Sequence, residues 1–218
     1  MERRMPRRLT LSAAALAATL AGPAAGHPHV FIDSGVDFLF NGEGRVSHLR
    51  ITWIYDPLSS LFMLEDLGLE ERPDGTLDDS GKAALARYQT QWIEGFEGDS
   101  YLSEGDEAIA LSGPIQAEAD YRDGAVVIRF LRALAAPHAP GPDTVAALYD
   151  PTYFSAYFIT ETPRLENAPV GCSAEVIPFE PTGPLLALQQ NLLHIPVDAD
   201  PEESVGHLFA DRVVLACE

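Results

Sequence analysis

The stretch VFIDSGVDFLF (Val30 to Phe40), the turn Asn41-Gly42-Glu43-Gly44 and the run RVSHLRITWIY (Arg45 to Tyr55) set the class of fold. Both runs are rich in β-branched and aromatic residues, which pack well on a pleated surface. The Asn-Gly pair between them tolerates the left-handed backbone that a tight reversal needs, so a β-hairpin is predicted. Side chains alternate across a strand, which puts His29, Phe31 and Asp33 on one face and Val30 and Ile32 on the other. Asp33 is therefore a candidate carboxylate beside His29, as a ligand or as a partner that orients one.

Immediately upstream stands Gly26-His27-Pro28-His29. Arg3, Arg4, Arg7 and Arg8 open the chain, an apolar run spans Leu9 to Leu20, and Gly22-Pro23 leads to Ala24-Ala25-Gly26. A basic end, a short apolar middle and a small-x-small exit are the parts of a secretory signal peptide. The apolar run is shorter than the roughly 20 residues that span a bilayer. Residues 1–26 are thus expected to be a cleaved signal, with His27 heading a periplasmic protein. A cut after Ala25 would leave Gly26 in front. A terminal amine and an imidazole on one residue can chelate a metal, and His29 follows two residues on. Imidazole suits zinc, copper, nickel and related ions, so His27 and His29 are candidate ligands. Set against this, two histidines beside a cleavage site read equally well as a solvated terminus.

Downstream the period changes. Pro57 suits a first helical position, and Leu58, Leu61, Phe62, Leu64 and Leu67 recur at helical spacing up to Gly68. A second helix is predicted from about Asp79 to Gly95, with Ala84, Leu85, Tyr88, Trp92 and Ile93 as its buried stripe. The loop between them, Glu70 to Asp78, faintly echoes a calcium loop. Gly81 stands where the bidentate Glu belongs and Arg72 replaces an inner carboxylate, which argues against bound calcium. From Tyr101 the chain returns to β-rich runs, punctuated by Ser112-Gly113-Pro114, Arg122-Asp123-Gly124 and Asp150-Pro151-Thr152. The expected class is α+β: a mainly antiparallel sheet or sandwich with a two-helix excursion at about 57–97, as one β-rich domain over 27–218.

The chain is acidic, with a formal charge of −19, and removing the Arg-rich start makes the remainder more so. That balance argues against nucleic acid and anionic membrane surfaces. Two cysteines, Cys172 and Cys217, in an exported chain read as a disulfide. His48, His194 and His207 lack the spacing of helix-borne zinc sites, and His138 reads as a bystander in the loop Ala136 to Pro142. No G-x-S-x-G elbow, phosphate loop, dinucleotide fingerprint or C-x-x-C is present, and nothing singles out a reaction.

Several segments together carry a family resemblance: His27-Pro28-His29-Val30-Phe31-Ile32-Asp33, Thr52-Trp53-x-Tyr55-Asp56, and the Asp-Gly loop with its following helix. Tyr149-Asp150-Pro151-Thr152-Tyr153-Phe154, Cys172 and the Phe209 to Cys217 end complete it. The chain resembles a bacterial family of uncharacterised exported proteins, labelled as the periplasmic component of an ABC-type transport system and commonly encoded beside nickel/cobalt or zinc transporters. The resemblance implies a non-enzymatic periplasmic accessory that binds a divalent transition metal and serves an inner-membrane metal transporter. His27 and His29 would ligate, with Asp33 or Asp150 completing or orienting the site. Two other readings stand beside it: a copper "histidine brace" enzyme or carrier, and a metal-free interaction module whose terminal segment docks on a transporter.

Overall fold

The computed structural model describes residues 26–196, 199, 201 and 203–217. Of the expected signal peptide only Gly26 falls among them, so that expectation lies outside the described residues.

The predicted hairpin is present. Strand β1 (Val30–Phe40) pairs antiparallel with β2 (Val46–Tyr55), Ile32 facing Tyr55 and Gly35 facing Thr52. Asn41 closes the reversal: its Oδ1 accepts from the backbone N–H groups of Glu43 and Arg45, while Gly44 adopts φ +72°. The hairpin lies within a six-stranded sheet of order β5 (Ile115–Arg122), β6 (Ala125–His138), β2, β1 and β8 (Ser155–Ile159), with β9 (Leu165–Glu166) along the far half of β1. A second sheet runs β10 (Cys172–Ile177), β11 (Arg212–Cys217), β7 (Thr144–Leu148), β3 (Ser100–Glu104) and β4 (Glu107–Ala108).

The α+β class is as expected, but the sheets are not wholly antiparallel. Val30–Ser34 pairs parallel with Ser155–Ile159, and Phe38 and Leu39 pair parallel with Leu165 and Glu166. The physical reason lies in the turn after Leu148: β7 belongs to the second sheet and β8 to the first, so the chain crosses between sheets there rather than folding back on itself. One apolar core joins both sheets, with Phe38, Leu49, Ile51, Trp53 and Phe130 from the first and Leu102, Leu148, Val213 and Leu215 from the second.

Helix α1 (Pro57–Asp66) starts at the expected proline. Asp56 caps it through Oδ1 to the N–H groups of Leu58 and Ser59, and its Oδ2 accepts from Phe31 N at 3.2 Å. The cap thereby also fixes the entrance of β1. The predicted stripe of α1 is corrected: Leu64 is buried, but Leu58, Leu61 and Phe62 are 62 %, 57 % and 59 % exposed. Ser60 is the inward-facing residue, donating to Tyr55 O and accepting from Val126 N, so a polar contact seats the helix. Helix α2 (Asp79–Thr90) ends five residues before the predicted Gly95; Leu85 and Ala86 are its buried hydrophobics, while Tyr88 and Ile93 are exposed. Asp78, in the loop read as calcium-like, is the N-cap of α2, its Oδ1 accepting from Gly81 N at 2.7 Å.

Arg132, on β6, is buried and holds the segment before β3 by donating to Glu97 O, Ser100 O and Ser100 Oγ, and stacks over Trp92. The apolar run after Pro184 forms helix α3 (Gly183–Leu192), which with a 3-10 turn (Gly206–Phe209) covers a smaller core around Tyr153, Ala156, Leu192, Val205 and Phe209. Among the described residues no helix is long and apolar enough to cross a membrane.

Cys172 and Cys217 occupy facing positions of β10 and β11 and are joined by a disulfide closing a separation of 45 residues. Cross-linking so long a loop removes freedom mainly from the unfolded chain. The double substitution Cys172→Ser, Cys217→Ser is expected to lower unfolding stability by about 2–4 kcal/mol in urea titrations.

Candidate functional site

The geometry starts from the two backbones that meet at the beginning of β1. His29 N and Val30 N both donate to Phe154 O, at 2.8 and 3.3 Å. On the other side, Gly26 N donates to Ile195 O and His27 N to Leu192 O, which clips the segment to the end of α3. The His27–Pro28 peptide is cis. His27 is completely buried.

These contacts bring both imidazoles together. The His27 and His29 ring centroids lie 4.8 Å apart at 71°, and the Phe154 ring packs against both, at 5.9 and 4.8 Å. Three imidazole nitrogens, His27 Nδ1, His27 Nε2 and His29 Nε2, are buried without a hydrogen-bond partner among the described residues. A buried polar atom left unpaired costs free energy, and such atoms in a folded protein commonly face water or an ion. Burial, and then the neighbouring His27, lowers the pKa of His29, which favours the neutral ring. Neutral imidazole is the form that ligates a metal. His48 and His138, by contrast, have partners in Ser47 Oγ and Glu104 Oε2, and His194 and His207 are exposed.

The two candidate carboxylates sit elsewhere. Asp33 is exposed on β1, four residues beyond His29, which along a strand is roughly 13 Å. Asp150 is spent on its own turn: Oδ1 accepts from Thr152 N and Oγ1, and Oδ2 from Ser155 N. It shapes the 150–155 turn, whose Phe154 O accepts from His29 N. Gly206 closes over this turn, where a Cβ would collide with Asp150 O. Among the described residues no group of three or more His, Cys, Asp or Glu side chains is arranged to hold a metal. The structure therefore gathers His27 and His29 but does not add Asp33 or Asp150 to them.

Behind the same turn lies a cleft of about 1030 Å³ that sequence reasoning missed. Val30, Asp150 and Ser155 form one side, and Trp53, Tyr157 and Asp99 are among the other lining residues. Asp99 is 6 % exposed and accepts from Tyr157 Oη at 2.8 Å. Burial, reinforced by Asp150, pushes its carboxyl up to about 7, while the Tyr157 hydrogen bond and the Arg132 charge pull the other way. The phenol of Tyr157, fully buried beside Asp99, is raised well above its usual range. No pattern marked Asp99, one of two acids in the loop Glu97-Gly98-Asp99-Ser100. The one available signal was Gly98-Asp99 preceding a strand, where both residues adopt positive φ.

The raised carboxyl has a measurable consequence. The folded protein holds a proton on Asp99 up to about pH 7, whereas the unfolded chain releases it near 4. Between those values the native state binds more protons, so the contribution of Asp99 to stability is full below about pH 4 and is lost as pH rises through 7. Asp99→Asn removes this titrating proton while keeping an acceptor for Tyr157. Its stability relative to wild type, by urea unfolding, is expected to improve progressively from pH 5 to pH 8; a difference that does not change with pH would contradict the assignment.

No curated protein matches the chain. Residues 12–217 match the family described as "Protein of unknown function (DUF1007)", and the chain belongs to that family.

Proposed function

We propose that the protein is a periplasmic accessory that binds a divalent transition metal through His27 and His29 and hands it to or from an inner-membrane metal transporter, acting as a binder and not as an enzyme. The observation that carries this reading is the pair of adjacent imidazoles with three buried nitrogens that lack partners among the described residues. Nitrogen donors of this kind suit zinc, nickel, cobalt or copper. Signal cleavage after Gly26 would turn the His27 nitrogen, which now donates to Leu192 O, into a terminal amine beside its own imidazole. Two imidazoles with or without that amine leave coordination positions open. A structural zinc site closes all four positions, whereas an open site can exchange its ion with a partner. The acidic chain adds a general attraction for cations.

Export, the periplasmic location and service to an ABC-type or related transporter belong to the same proposal. They are supported by the Arg-rich and apolar start of the sequence, and by a disulfide of the kind that persists in oxidising compartments.

The test is equilibrium dialysis of the mature protein against zinc, nickel, cobalt and copper, with intact mass to define its first residue. One of these ions is expected at about one equivalent per chain, raising unfolding stability by about 2.7 kcal/mol at a hundredfold excess over Kd. The double variant His27→Ala, His29→Ala should lose both, and binding should weaken at pH 5 because protons compete for the imidazoles. Equal uptake by wild type and the double variant would overturn the reading.

A further inference from the structure

The cleft behind the 150–155 turn has a chemistry of its own. Among the described residues four acids line it, Glu65, Asp66, Asp99 and Asp150, and no Lys, Arg or His does. The acids stand at two depths: Asp99 is 6 % exposed, whereas Glu65 and Asp66 lie exposed on α1. A ligand's charge would thus meet a carboxylate pair below, Asp99 with Asp150, after passing an acidic rim.

The walls between those depths are aromatic. Trp53, Tyr55, Phe62, Tyr88, Phe96 and Tyr157 all line the cleft. Phe62, Tyr88 and Phe96 remain 59 %, 46 % and 39 % exposed, which a folded chain tolerates but does not need. Aromatic faces attract cations through their quadrupoles, most strongly where water is excluded. The volume of about 1030 Å³ is at the upper end of what small-molecule sites use. Aromatic walls beside carboxylates suit an organic cation with an apolar body better than a bare metal ion.

We propose that this cleft binds a small organic cation, an amine or quaternary ammonium carrying an apolar body, with the charge against Asp99 and Asp150 and the body between the aromatic walls. The site is separate from the imidazole pair and stands or falls without it.

The probe is benzyltrimethylammonium, compared with neopentylbenzene, which has the same shape with carbon in place of the charged nitrogen. Binding is followed by the fluorescence of Trp53 and Trp92, the two tryptophans of the chain, in the full mature protein at pH 8, where Asp99 is ionised. Saturable binding of the cation, at least tenfold tighter than the neutral analogue, is expected. Asp99→Asn should erase that preference, and Phe62→Ala, a surface change that leaves folding intact, should weaken the cation by threefold or more. His27→Ala with His29→Ala should leave the cation unaffected. No saturable binding, equal binding of the neutral analogue, or a preference untouched by both Asp99→Asn and Phe62→Ala would each overturn the proposal.

Discussion

The parallel pairing of Val30–Ser34 with Ser155–Ile159 is the constraint on which the rest depends. It joins two segments more than 120 residues apart, and it does so at the point where the chain crosses between sheets. From that pairing follow the two hydrogen bonds to Phe154 O, the packing of Phe154 on both imidazoles and the closure of one side of the cleft. A shift of one residue in register would turn Ile32 outward and move Phe31 into the core. Ile32 is fully buried and Phe31 half exposed, so the apolar core itself enforces the register that places the histidines.

Asp150 shows how one carboxylate can serve two neighbourhoods. Its oxygens accept three hydrogen bonds within the turn, which leaves little capacity for a metal. The same negative charge nonetheless bears on Asp99 across the cleft. A turn residue thereby couples the shape of the histidine pocket to the electrostatics of the space behind it. Gly206, pressed against Asp150 O and donating to Pro151 O, keeps that turn in place from the second core.

Much of this was legible in the sequence where the signal is local. Asn41-Gly42 specified the hairpin, Asp56-Pro57 the start of α1, and Cys172 with Cys217 the disulfide. His27 and His29 stood out because Pro28 separates them and the chain becomes a strand directly after. Strand direction was not legible: Ser155–Ile159 is a short apolar run, and alternation says which face is buried without saying which neighbour runs alongside. Helical spacing in α1 likewise revealed an apolar face but not that Leu58, Leu61 and Phe62 would be left uncovered, since a stripe carries no information about what packs on it. Asp99 was invisible for a third reason. Its environment is made by Arg132, Tyr157 and Asp150 from three other segments, none near it in sequence.

The central claim is that the imidazoles of His27 and His29 are metal ligands. It is tested most directly by long-range proton–nitrogen spectroscopy of the six histidines in the nitrogen-15-labelled protein, recorded with and without one equivalent of zinc. The account expects one nitrogen in each of His27 and His29 to move to the metal-bound range, while His48, His138, His194 and His207 stay where they are. Zinc shifts confined to those four, with His27 and His29 unmoved, would contradict it.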